Sequence, residues 1–172
     1  MGIDFTFYRV LCTTPPDLES ERLAFESAVA QFVEEVSMPD GVLFAAASLR
    51  PPIQAAVQKA AIEDNIRNCE FFIQVFGERW PDPVFADFVR YSLECAADSA
   101  LGTRKATQPV TRQVCVFFRN PEAADAPVRQ FRETLAATGQ CDLREFSKAQ
   151  EFAEQLRQVF CAWYAPLKPP SA

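Results

Sequence analysis

Two apolar runs in this 172-residue chain end in the same way, and that shared ending restricts the fold more than any other feature. Phe5 to Cys12 reads as a buried strand, which Thr13-Thr14-Pro15-Pro16 breaks before Asp17-Leu18-Glu19-Ser20-Glu21-Arg22 opens a long amphipathic helix. Phe71 to Phe76 reads as a second buried strand and runs out into Gly77-Glu78-Arg79-Trp80. Near-continuous apolar strands followed by helices belong to a parallel sheet buried on both faces. An open sheet of this kind leaves a crevice at the carboxyl ends of its strands, where ligands bind at the point of strand reversal. Function is expected at that edge.

The same alternation continues along the chain. A helix is expected from Asp17 to Val36, with Phe25, Ala28, Val29, Phe32 and Val36 at the spacing of one buried face. A turn at Ser37–Gly41 leads to an uncharged strand, Val42 to Ala47. Pro51-Pro52 should start a helix that runs to Asn68 with Ile53, Val57, Ala60 and Ala61 inward. After Phe71–Phe76, the pattern predicts a helix over Phe85–Ala97, a loop over 99–110 and a strand over Gln113–Phe118. Asn120 and Pro121 then read as the cap and first residue of a helix lined by Val128, Phe131 and Leu135, which Gly139 should end. Cys141 to Phe146 alternates like an edge strand, and Ser147 should cap a last helix carrying Phe152, Leu156, Val159, Phe160 and Trp163. Right-handed crossovers then favour a flavodoxin-like five-stranded parallel sheet in the order 2-1-3-4-5, with its switch point between strands one and three. The domain is expected to span residues 1–165, with 166–172 a Pro-rich tail or linker.

Composition narrows the chemistry. The net charge of −6 argues against a nucleic-acid surface, which needs a concentrated positive field. The six cysteines include no Cys-x-x-Cys pair and read as free thiols in a chain without an export signal, which points to the cytoplasm. No apolar stretch reaches the roughly 20 residues of a membrane span, so no membrane partner is expected. The chain has no histidine. That removes Ser-His-Asp triads, Cys-His dyads and imidazole bases, and leaves carboxylates, hydroxyls, thiols and cations for any catalysis.

The segment strand-Thr13-Thr14-x-x-Asp17-Leu18-x-x-Glu21-Arg22 resembles the opening of a TIR-like (Toll/interleukin receptor-like) domain family of unknown function. Members of that family stand at the N-terminus of NACHT, TPR or WD-repeat signalling proteins. A second similarity is Ile66-x-x-Cys69-Glu70-Phe71-Phe72-Ile73-x-Val75-Phe76-Gly77-Glu78-Arg79-Trp80, like the family's third strand with its Gly-Glu-Arg-aromatic ending. The resemblance covers residues 5–146. It implies a signalling or defence role through protein–protein association or self-association, with a weak nucleotide site and no required cofactor. NAD would be a substrate if the domain is catalytic, because a helix glutamate cleaves NAD in catalytic TIR domains. The corresponding segment here is Val84-Phe85-Ala86-Asp87, so Asp87 stands for the glutamate and Ala86 for a hydroxyl residue. Aspartate is one methylene shorter, and a misplacement of about 1 Å can cost on the order of 100-fold in rate.

Several residues at this edge have two readings. Thr13 and Thr14 can hold a phosphate or ribose before a helix N-terminus, or simply satisfy turn backbone. Asp17 fits a helix N-cap, and Glu21 and Arg22 fit ion pairs with neighbouring helices or with the Glu78-Arg79 turn. Arg79 can hold an anion and Trp80 can stack on a base, or the turn is solvated and Trp80 covers the core edge. The alternative function is an N-glycosyl hydrolase or transferase acting on NAD or a nucleoside. It would draw its carboxylates from Glu78, Asp87 and Glu94, two of which must converge. A phosphoacceptor receiver is excluded, because Thr13-Thr14 and Gly77 occupy the places of its acidic residues.

Overall fold

A computed structural model describes residues 4–48, 58–102 and 111–170. Its strands are β1 (Thr6–Thr13), β2 (Val42–Ser48), β3 (Phe71–Phe76), β4 (Gln113–Arg119) and β5 (Asp142–Phe146). They alternate with α1 (Glu19–Phe32), α2 (Lys59–Arg67), α3 (Val84–Ala100), α4 (Ala126–Thr138) and α5 (Ala149–Tyr164). The five strands form one parallel sheet in the order β2-β1-β3-β4-β5. The fold is therefore α/β and flavodoxin-like, as the strand-helix alternation predicts.

Each face of the sheet carries its own aromatic layer. On one side Phe71, Ile73, Val75 and Phe117 meet Phe25 and Phe32 of α1 and Phe152, Phe160 and Trp163 of α5. On the other, Phe72, Phe76 and Phe118 meet Ile62 and Ile66 of α2, Phe85 and Phe88 of α3 and Phe131 of α4. All six residues of β3 are buried, because helices cover both of its faces and strands flank both of its edges. Burying one such side chain contributes about 1.5–3 kcal/mol. The Phe71 ring stacks on Trp163 with centroids 4.5 Å apart and planes within 10°.

Several boundaries differ from the pattern, each for a local reason. Asp17 is not a cap: Leu18 N–H donates to the Pro15 carbonyl at 3.0 Å in a tight turn, so Asp17 is exposed and the helix begins at Glu19. Past Phe32 the helix continues as a π turn (Val33–Ser37) and a 3-10 turn (Met38–Asp40) that ends at Gly41 with φ 73°. Ala60 and Ala61 of α2 face solvent, and Ile62 and Ile66 form its buried stripe. The helix start at Pro51-Pro52, with Ile53 and Val57, lies outside the described residues, as do residues 103–110 of the expected loop, whose first two positions instead belong to α3, which runs on to Ala100. Asn120 caps only a short 3-10 turn (Pro121–Ala123), and α4 begins at Ala126. Ser147 does not cap α5; its N–H and hydroxyl donate to Glu151 at 2.9 and 3.2 Å. Pro166 sits in a 3-10 turn (Ala165–Leu167) whose Leu167 packs on the core, so the expected tail begins folded.

Replacing Phe71 by Ala should remove about 3–5 kcal/mol of stability, since a buried ring leaves a cavity between sheet and α5. Urea denaturation should show a lower midpoint, and the near-UV circular dichroism of Trp163 should weaken.

Candidate functional site

At the carboxyl edge β1 and β3 lie side by side, as the crevice requires. Thr13 closes β1 with no exposure, and its hydroxyl donates to the side-chain carbonyl of Gln74 on β3. Gln74 in turn donates to the Val75 carbonyl at 3.0 Å. Thr13 is thus a buried tie across the switch point, and Thr14 beside it is buried as well. Leu18, fully buried, leans over the end of β3. A Cβ on Gly77 would stand 3.2 Å from Leu18 Cδ2, so glycine at this position lets the two turns pack closely.

The centre of the edge is Arg119, the last residue of β4. Its Nη1 donates to Glu21 Oε1 at 2.7 Å and its Nη2 to Glu78 Oε2 at 2.8 Å. Its Nε lies 3.2 Å from each Glu78 oxygen, so guanidinium and carboxylate meet in fork geometry. Asn120 Nδ2 adds a bond to Glu78 Oε1 at 2.7 Å. Glu21 is almost fully buried, with its side chain 4% exposed, while those of Arg119 and Glu78 keep 25% and 30%. The Arg119 hydrogen bond, with that from Asn120, holds the Glu78 carboxyl at about 2 against the opposing effect of burial. Glu78, followed by Glu21, raises Arg119 further above its already high value.

Asn120 reaches Glu78 from a left-handed backbone with φ 45°, the one such non-glycine residue among those described. Pro121 disfavours the right-handed helical region at Asn120, and asparagine tolerates the left-handed one better than most residues. The conformation costs on the order of 1–3 kcal/mol, which the amide bond to Glu78 and the Asn120 N–H bond to Phe146 at 2.9 Å help to offset.

The other candidates lie apart from this cluster. Trp80 turns inward: its ring stacks on Phe76 at 6.0 Å and meets Phe131 edge-on at 5.6 Å, covering the core. The Trp80 backbone N–H donates to Asp125 Oδ2 at 3.2 Å. Arg79 is exposed at the tip of the turn and makes no ion pair among the described residues. Asp87 pairs with Lys59 of α2 at 3.3 Å and with Arg90 at 3.0 Å. Glu94 is exposed two turns along α3, about 10 Å from Asp87 along the helix axis. Glu78, Asp87 and Glu94 thus each have their own surroundings, Glu78 on Arg119 and Asn120, Asp87 on Lys59 and Arg90, and Glu94 on the exposed side of α3. Burial pushes the Cys12 and Cys115 thiols far up and that of Cys69 up to about 12, so these three stay protonated and are not nucleophiles at neutral pH.

Arg22, expected beside Glu21, points elsewhere. It donates to Glu26 Oε1 at 2.7 Å, to Ser48 Oγ at 3.4 Å and to both oxygens of Glu19, which fastens α1 to the end of β2. Arg119 and Asn120 are the site residues missed as partners. Their signal was present, since β4 also runs from a wholly apolar stretch straight into polar residues and a proline.

Replacing Arg119 by Met should cost about 3–5 kcal/mol, because Glu21 would be left buried without a counter-charge. Adding Glu21→Gln and Glu78→Gln should recover part of that loss in urea melts. The low Glu78 value also has a signed consequence. A depressed carboxylate contributes its full stability above its ordinary 4.5 and loses it as pH falls towards 2. The gap between wild-type and Glu78→Gln midpoints should narrow across that window.

No helix of the described residues is long and apolar enough to cross a membrane. No family model matches the chain, and no curated protein matches it by sequence. Among solved structures the chain is similar to an NADPH-quinone reductase from P. pentosaceus, at 10% identity and a TM-score of 0.42. That likeness covers 88% of this chain and 96% of the other. The fold assignment rests on the strand order itself.

Proposed function

We propose that this chain is a TIR-like domain of intracellular signalling or defence that works chiefly by protein–protein association. The observation that carries this reading is the ion cluster in the crevice, with Arg119 seated between Glu21 and Glu78. A nucleotide phosphate approaching Arg119 must displace a carboxylate held by several hydrogen bonds. A nucleobase would find the Trp80 ring already engaged with Phe76 and Phe131. What stays open to a partner at this edge is the exposed Arg79, which pairs with no acid among the described residues and is suited to a carboxylate on another protein.

The glycosyl-transfer alternative draws less support. Glu78 is held ionised well below neutral pH and cannot serve as a general acid, and Asp87 is tied to two cations. The test is incubation with NAD and with nucleosides, at low and high protein concentration, with release of nicotinamide or free base followed by chromatography. Release no faster than in buffer is expected. Turnover that Asp87→Asn or Glu78→Gln abolishes would overturn the reading.

A further inference from the structure

β1 pairs with β2 from Thr6 to Cys12, but β3 joins β1 only from Val10. The first halves of β1 and β2 therefore project beyond the rest of the sheet as a two-stranded ribbon. One face of that ribbon is covered, with Tyr8 and Phe44 packed among Phe32 and Phe71. The other is open: Phe7 is 64% and Phe5 44% exposed, and further along it lie the exposed Arg9 with exposed Ala45 opposite it on β2, and exposed Ala47 opposite Leu11.

The outer edge of β2 adjoins this open face. Thr6 N–H donates to the Gly41 carbonyl at 2.8 Å, so odd-numbered residues of β2 turn their amides towards β1. Val42, Phe44 and Ala46 turn theirs outward, and no described residue pairs with them. Strand edges are normally protected by charge, proline or a bulge. β5, at the opposite edge, follows that rule: Asp142, Arg144 and Glu145 are charged and tied in ion pairs. β2 has none of these, since Val-Leu-Phe-Ala-Ala-Ala-Ser carries no charge and its register with β1 is unbroken.

We propose that β2 is a self-association edge, at which two copies pair antiparallel about a two-fold axis and join their sheets. Three features select a second copy as the occupant. The free amides require a strand. The chain carries a net charge of −6, so two copies approach with least repulsion along an uncharged element. The strand is bulky at Val42-Leu43, next to Phe7, and small at Ala45–Ala47, so an antiparallel copy lays each bulky end over a small one. Such a patch is self-complementary and closes as a dimer. The inference goes beyond the reading above, because the edge lies away from the Arg119 cluster and dimerises with or without a partner at Arg79.

Sedimentation velocity over a dilution series tests it. The wild type should sediment as a reversible dimer. Ala46→Pro removes an outward amide at a position an edge strand tolerates, and should weaken dimerisation about tenfold or more. Far-UV circular dichroism should stay unchanged. Ala47→Glu, which sets a carboxylate at the small end that receives the copy's apolar Val42-Leu43, should do the same and decides the matter if Ala46→Pro fails to fold. A wild type that stays monomeric at the highest soluble concentration overturns the proposal. A dimer indifferent to a folded variant also overturns it, as does a monomer that captures only an added extended peptide. None of these outcomes bears on NAD turnover.

Discussion

The carboxyl edge of this protein depends on one guanidinium. Arg119 is the only link between Glu21, 98 residues earlier, and Glu78, 41 residues earlier, that the described hydrogen bonds provide. Glu21 lies on the first helix and would be an expensive buried anion alone; with Arg119 opposite, its charge is matched and its oxygens are bonded. The same guanidinium takes Glu78 in fork geometry, and this holds the β3–α3 turn against the end of β4. Asn120 then accepts a strained backbone to complete the carboxylate's shell. Three turns that meet where the strand order reverses are thereby locked into one arrangement.

That locking separates this edge from the reactive crevice the fold often supports. A ligand site at a switch point needs unsatisfied donors or an open wall. Here the donors are spent on carboxylates of the same chain, Leu18 fills the approach to Gly77, and Trp80 lies against Phe76 and Phe131. The residues left over are charged or apolar groups at the periphery, Arg79 at the loop tip and the Phe7 ribbon at the sheet's free side. On the function proposed above, both would be surfaces for meeting other chains. The asymmetry between a charged β5 and an uncharged β2 points the same way, since protection at one edge makes its absence at the other informative.

Much of the architecture was legible because burial writes itself into composition. A strand covered on both faces is apolar at nearly every position, so Phe71–Phe76, with Gln74 its one polar residue, and Val114–Phe118 announced themselves, and the alternation with helices implied parallel pairing. Helix starts were less legible. Asp17, Asn120 and Ser147 all have the chemistry of caps, but each is drawn into a turn or a side-chain bond with another partner. The stripe of α2 was misread because alanine is small enough to lie on either face, and only packing against Leu11 and Phe72 selects Ile62 and Ile66.

Sequence alone determined the class of fold, the strand order and the location of the polar turns, because these follow from local periodicity and from the handedness of crossovers. Which charges meet was decided only in three dimensions. Glu21 and Arg22 are neighbours in the chain, yet one points to Arg119 across the sheet's edge and the other back to Glu19, Glu26 and Ser48. The reason is physical: hydrophobic periodicity is written every two or four residues, whereas an ion pair between distant segments leaves no periodic trace and forms only once the core has set their positions.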